Sequence, residues 1–302
     1  METVLSVAYN VILPIFVVIG LSMLVGHLFN PNPRTLSSLI IYLFSPFLVL
    51  DGMSRSDLRA EEIGQIAAVT VILTFALALL GAGAARLLRL GRKEESAFLL
   101  SIILINAGNY GLPLNEFAFG QAGLQRAMVF YVASAVMANT VGVYIASRGS
   151  ASVRQSLLNV FRVPLPYAMA LGLLLNFTDT TLPLPLQRAV TLLGQAAVPA
   201  MLVLLGVQLR KAQVRGRLGP ICVAAGMRLL VAPLIAFPLV ALVGLTGVAR
   251  QVTIVEASMS TAVMSGVLAT EFGSDSDFTT AAIMVSTLAS IVTLSVLLTI
   301  VS

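Results

Sequence analysis

Asn106-Ala107-Gly108-Asn109-Tyr110-Gly111-Leu112-Pro113 stands in the middle of an apolar run that extends from about residue 95 to 119. Pro113 has no amide hydrogen, and Gly108 and Gly111 weaken helix continuity, so a helix passing through this stretch should unwind and expose backbone polar groups. In hydrocarbon each unpaired group costs several kcal/mol, so such a break is tolerable only when buried in protein or lining a wet cavity. Asn106 and Asn109 add side-chain donors and acceptors at the gap. A half-helix restarting near Leu112 points its positive dipole end there. This combination suits an anion, such as the carboxylate of a small organic acid. The competing reading is a packing kink whose asparagines bond to neighbouring helices.

Composition decides that hydrocarbon is the relevant surrounding. The 302 residues are 58% hydrophobic and 10% charged, with a mean hydropathy of +0.98, whereas a soluble domain carries about 25% charged residues. This is too little charge to coat a water-facing surface. At about 20 residues per span, the length accommodates about ten transmembrane helices. Runs bounded by proline, glycine or charge place them at 4–28, 34–53, 62–89, 95–119, 122–147, 164–178, 184–209, 217–246, 249–272 and 278–301. The first run lacks a basic leader and a small-residue cleavage site, so it reads as a retained helix and not a signal peptide. Cys222 reads as a packing thiol.

The net charge of +5 comes from residues in the connections, so no nucleic-acid partner is implied. Arg34, the Arg86–Lys93 group, Arg148, Arg154, Arg162 and the Arg210–Arg217 group place twelve basic residues on one side of the membrane. Arg55, Arg59, Arg126, Arg188 and Arg250 place five on the other. Short cytoplasmic loops are enriched in Lys and Arg. Both termini are therefore expected on the non-cytoplasmic side of the cell (inner) membrane, which requires an even number of spans.

Pro46, in Ser45-Pro46-Phe47-Leu48, has a counterpart 153 residues later at Pro199, in Val198-Pro199-Ala200-Met201. Phe119-Gly120 recurs at Phe272-Gly273 with the same offset. Residues 1–153 and 154–302 thus read as two five-helix repeats. Because five is odd, the second repeat must be inverted relative to the first. Inverted repeats with interrupted helices are a recurring plan of secondary transporters, with the substrate site near the midplane.

The repeat mate of the asparagine segment runs through Ser258-Met259-Ser260-Thr261 to Ser265-Gly266, which contains no proline. A weaker break is expected there, resting on glycine and on hydroxyls that bond back to the helix. Ionisable groups inside spans are costly and usually functional. Arg228, midway along the eighth span, needs a partner, and Glu256 is the candidate. That pair would either tie helices together or serve charge compensation or proton coupling, and Glu116, just past Pro113, is another protonatable group. Pro46 and Pro199 should kink the second and seventh spans. His27, the only histidine, makes no metal site. No P-loop, Gly-Xaa-Ser-Xaa-Gly elbow or histidine-acid pair is present. An ATP-driven pump and an enzyme are disfavoured, and no cofactor is expected.

Asn106-Ala-Gly-Asn-Tyr-Gly-Leu-Pro-Leu114, followed by Phe119-Gly120, resembles the fourth-helix motif of the auxin efflux carrier family. That family lies within the bile, arsenite and riboflavin transporter superfamily, and its bacterial members are often described as permeases for malate, malonate and related acids. Glu256-Ala-Ser-Met-Ser-Thr-Ala-Val-Met264, continuing to Gly273, looks like the family's second signature, and Ser286–Leu294 fits its last helix. Where the family usually has a proline after the signature methionine, this chain has Ser260. The resemblance implies a ten-helix fold with helices four and nine crossing at the midplane. It also implies a scaffold and homodimer surface from spans one, two, six and seven, and an elevator-like transport unit from the rest.

The leading expectation is a secondary transporter for a small carboxylate, embedded in the bilayer. Asn106, Asn109, Tyr110, Gly111 and Pro113 would contact substrate from one broken helix, and Ser258, Ser260 and Thr261 from the other. The alternatives are a sodium-coupled symporter resembling the bile acid carriers, or a receptor that binds without transporting.

Overall fold

A computed structural model describes residues 3–147, 163–210 and 217–301. The boundary between residues 153 and 154, and Arg148, Arg154, Arg162, Lys211 and Arg215, lie outside the described residues. Within them the structure is all helical, apart from one isolated antiparallel bridge between Ile105 and Thr261. In hydrocarbon an α-helix satisfies its backbone internally, and the apolar runs fold accordingly.

The helices are α1 (Val4–Phe29), α2 (Pro33–Ser54), α3 (Ala60–Leu87), α4 (Arg92–Ile103), α5 (Ala107–Ala146), α6 (Leu165–Phe177), α7 (Leu184–Leu209), α8 (Leu218–Leu242), α9 (Gly247–Ala257), α10 (Met264–Glu271) and α11 (Ser276–Val301). Seven of them, α1, α2, α3, α5, α7, α8 and α11, are long and apolar enough to cross a membrane. Local chemistry sets the ends. Asn30 closes α1 in the left-handed region, and Asn32 opens α2 by accepting a hydrogen bond from the Arg34 amide, with Pro33 in the first turn.

The run at 95–119 is divided between α4 and the start of α5, and the break falls at Leu104–Asn106, upstream of Gly108–Pro113. Residues Ala107–Gly111 form a π turn, and Pro113 follows in the first turn of regular helix. A proline ring clashes with the carbonyl four residues earlier. The wider turn relieves that clash and leaves the full interruption to a segment that has a pairing partner. The second break also differs from the weaker one expected. The chain is non-helical between Ala257 and Met264 although it has Ser260 in place of a proline. That gap is held open by hydrogen bonds to distant parts of the same chain.

Helix α5 is interrupted at Gly120, with φ 62° and ψ −155°. Gly273, which follows α10, has φ 68°. These are the two glycines of the repeated Phe-Gly pair, and both adopt a backbone conformation that disfavours residues with a Cβ.

In the packing, α6 lies on α2, and α7 lies on α1 and α2. Elsewhere α3 packs on α4 and α5, α9 on α5 and α8, and both α8 and α10 on α11. The first turn of α5 meets α7 between these two groups. At Gly206 of α7 an added Cβ would lie 2.5 Å from the Ile19 carbonyl oxygen of α1, a backbone approach only glycine permits.

Candidate functional site

The two backbone breaks meet and pair. The Asn106 amide donates to the Ser260 carbonyl at 3.0 Å, and the Ala262 amide donates to the Leu104 carbonyl at 2.9 Å. Two helices that end in hydrocarbon leave carbonyls that need donors. Arg228 supplies three of these donors. It is fully buried, and its guanidinium donates to Ile102 O at 2.8 Å, Met259 O at 3.0 Å and Ala257 O. Ile102 and Ala257 lie at the C-terminal ends of α4 and α9, where the helix dipoles concentrate negative charge, and Met259 lies in the gap just beyond α9. The expected Arg228–Glu256 pair is therefore corrected, because no ion pair joins them among the described residues and the guanidinium bonds backbone oxygens instead.

Hydroxyls complete the crossing. Thr261 Oγ1 donates to Ser101 O at 2.8 Å, the Thr261 amide donates to Ser286 Oγ at 3.1 Å, and Thr287 Oγ1 donates to Ser260 Oγ at 3.2 Å. Ser258 Oγ donates back to Ile254 O at 2.7 Å. The side chains of Ser258, Ser260 and Thr261 thus bond within the protein and line neither cavity described below.

A cavity of about 210 Å³ opens against the other side of the crossing. Asn106, Gly108 and Asn109 line it at the start of α5, and Val263, Met264 and Val267 line it at the start of α10. The positive dipole ends of two half-helices therefore border one space, while Arg228 occupies the negative ends behind them. Asn106 Nδ2 is buried there without a hydrogen-bond partner. Of the residues expected to contact substrate, Asn106 and Asn109 reach this cavity. Tyr110 does not; its ring packs edge-on against Phe16 of α1 with centroids 5.9 Å apart. Gly111 and Pro113 are buried away from the cavity.

Gly111 has a different neighbour, because a methyl group there would lie 2.4 Å from Glu256 Oε2. Asn115 donates to Glu256 Oε1 at 2.9 Å and to Gly111 O at 3.0 Å. Glu256 Oε2 and Asn115 Oδ1 are buried acceptors with no donor.

A second cavity of about 750 Å³ lies toward the opposite ends of α2 and α7, and Glu116 and Pro199 are among the residues lining it. Arg55 bridges Asp51 at 2.9 Å and Thr191 at 3.0 Å on its wall. Pro46 follows a π turn at Ile40–Phe44, and Pro199 lies three residues after the junction at Ala196 that divides α7.

Sequence reasoning did not single out Asn115, Ser101, Ser134, Gln208 or Thr287. Gln208 carried a signal, because it is the only polar side chain in Ala197–Leu209. Ser286, Thr287 and Ser290 are buried within about one turn of α11.

A family described as membrane transport proteins matches the chain twice, over residues 7–155 and 150–298. An uncharacterized transporter of Methanothermobacter thermautotrophicus is 30% identical over 97% of this chain and 95% of its own length. An uncharacterized transporter of Methanocaldococcus jannaschii is 24% identical over 90% of this chain and 91% of its own length.

Proposed function

We propose, because the chain belongs to the auxin efflux carrier family of membrane transport proteins, that it moves a small organic anion across the membrane by alternating access. One observation carries this reading. Two half-helix N-termini and the unpartnered Asn106 amide border a single cavity whose lining, among the described residues, includes no acidic side chain. The carboxylate sits against Asn106, Asn109 and the first amides of α5 and α10.

The transport plan is ten spans in two inverted repeats, residues 1–153 and 154–302. The paired glycines at 120 and 273 and the two family matches of equal length support it. The fourth span is α4 with the start of α5, and the ninth is α9 with α10. A scaffold of α1, α2, α6 and α7 holds a homodimer together, and the remaining helices move past it as an elevator. Both termini lie on the non-cytoplasmic side of the cell membrane.

Uptake of labelled mono- and dicarboxylates into proteoliposomes tests the site. Asn106→Ala and Asn109→Ala should each reduce uptake at least about tenfold; undiminished uptake in both would remove the anion seat.

A second reading, cation coupling, is favoured by Glu256 Oε2 and Asn115 Oδ1, two buried acceptors without donors. A small cation between α5 and α9 would satisfy both. Substrate uptake that is indifferent to sodium and to a proton gradient, and unchanged in Glu256→Gln, rules coupling out.

A further inference from the structure

We propose that Gln208 of α7 selects the substrate by accepting a hydrogen bond from a hydroxyl or N–H group that the acid carries away from its carboxylate. The inference rests on the carboxylate reading above and adds a second recognition point to it.

Three residues that line the 210 Å³ cavity each carry a buried polar atom that finds no partner among the described residues: Asn106 Nδ2, Ser134 Oγ and Gln208 Oε1. They come from three places in the fold, namely the crossing, the middle of α5 and the last turn of α7. A buried polar group without a partner is destabilising. Glutamine in the apolar stretch Ala197–Leu209 is therefore costly unless something that binds the cavity completes it.

The three atoms differ in what they ask of a ligand. Asn106 Nδ2 is a donor and matches an acceptor such as a carboxylate oxygen. Ser134 Oγ donates or accepts and discriminates nothing. Gln208 Oε1 only accepts, so its ligand must donate. Among the described residues no Lys, Arg, Asp or Glu lines the cavity. One negative charge is thus held by helix ends and an amide, while a second carboxylate meets Gln208 Oε1 as acceptor against acceptor in this orientation of the amide. The fitting ligand is a singly charged acid with a neutral donor at its far end. Gln208 belongs to the helix packed on α1, whereas Asn106 belongs to the crossing. The ligand therefore bridges the two packing groups.

The test uses the purified full chain and matched acids with and without the donor, 4-hydroxyphenylacetate against phenylacetate and 4-hydroxybutyrate against butyrate. Binding is measured by calorimetry. The expected result is that the hydroxylated member of at least one pair binds on the order of tenfold more tightly, and that Gln208→Met brings this ratio close to one. The wild-type ratio tests the proposal even where the variant does not fold. Equal affinities in both pairs, or a preference that survives Gln208→Met, overturns the role of Gln208 and leaves the carboxylate reading standing. If none of the four acids binds, the carboxylate reading fails and this inference fails with it.

Discussion

At the scale of single residues, Arg228 is the group on which the crossing most depends. Its three hydrogen bonds reach carbonyls on both sides of the pairing segment, so one side chain joins the ends of α4 and α9 to α8. A hydrogen bond to a charged group contributes about 1.5–3 kcal/mol, and an orphaned buried carbonyl adds its own desolvation cost. Arg228→Met should lower stability by at least about 3 kcal/mol, read as a large drop in melting temperature in detergent. Arg228→Lys should fall between the variant and the wild type, because an ammonium on a flexible stem does not reproduce the planar fork. A double-mutant cycle between Arg228 and Glu256 should give a coupling smaller than that of a contact ion pair of guanidinium and carboxylate. The sequence marked Arg228 as needing a partner, because an arginine within an apolar run stands out. It did not reveal that the partners are backbone carbonyls, since backbone atoms carry no sequence signature.

At the scale of elements, proline tells much of the story. Pro14, Pro46, Pro113 and Pro233 each stand two residues beyond a π turn, at Ala8–Ile12, Ile40–Phe44, Ala107–Gly111 and Met227–Val231. The distortions at Pro46 and Pro113 were legible because a proline ring crowds the turn before it; those at Pro14 and Pro233 were not singled out, and the π turn at Ala138–Gly142 has no proline after it. Whether a distortion remains a bend or becomes a gap was not legible. Pro113 sits beside a gap and Pro233 does not, while the gap around Ser260 has no proline. What separates them is the pairing of Leu104–Asn106 with Ser260–Ala262 and the hydrogen bonds donated by Arg228 of α8 and Thr287 of α11, all contacts between residues far apart in sequence. Helix-to-helix approach follows the same logic. Gly206→Ala should cost about 1–3 kcal/mol because the new methyl meets the Ile19 carbonyl and the Ser22 Cβ, neither of which moves cheaply. Gly20→Ala, on a helix surface with no atom within 4 Å, should be neutral or stabilising by up to about 1 kcal/mol. Thermal melts of the two variants side by side check the contrast; equal shifts would mean that α7 does not bear on α1 as described.

At the scale of the whole molecule, the two cavities lie at opposite ends of α2 and α7. One takes in Ser37 to Tyr42 and Leu204 to Gln208; the other takes in Leu48 to Arg55 and Thr191 to Pro199. Between them stand the paired breaks, where packing is tight and every carbonyl bonded by Arg228 is committed. Alternating access requires that one space shrink as the other grows, because both are bounded by the same pair of helices. Reporter cysteines can follow this once Cys222 is replaced by serine, because that thiol is exposed on α8 and is not the packing thiol expected from the sequence. Asn139→Cys reports on the first cavity and Gln195→Cys on the second. A membrane-impermeant thiol reagent should reach each from a different face of a sealed vesicle, and a transported acid should slow one labelling rate severalfold while raising the other. If the two sites label from the same face, the inverted ten-span plan is wrong. If both rates fall together on adding the acid, the ligand locks the protein without exchanging its openings, and binding without transport becomes the better description.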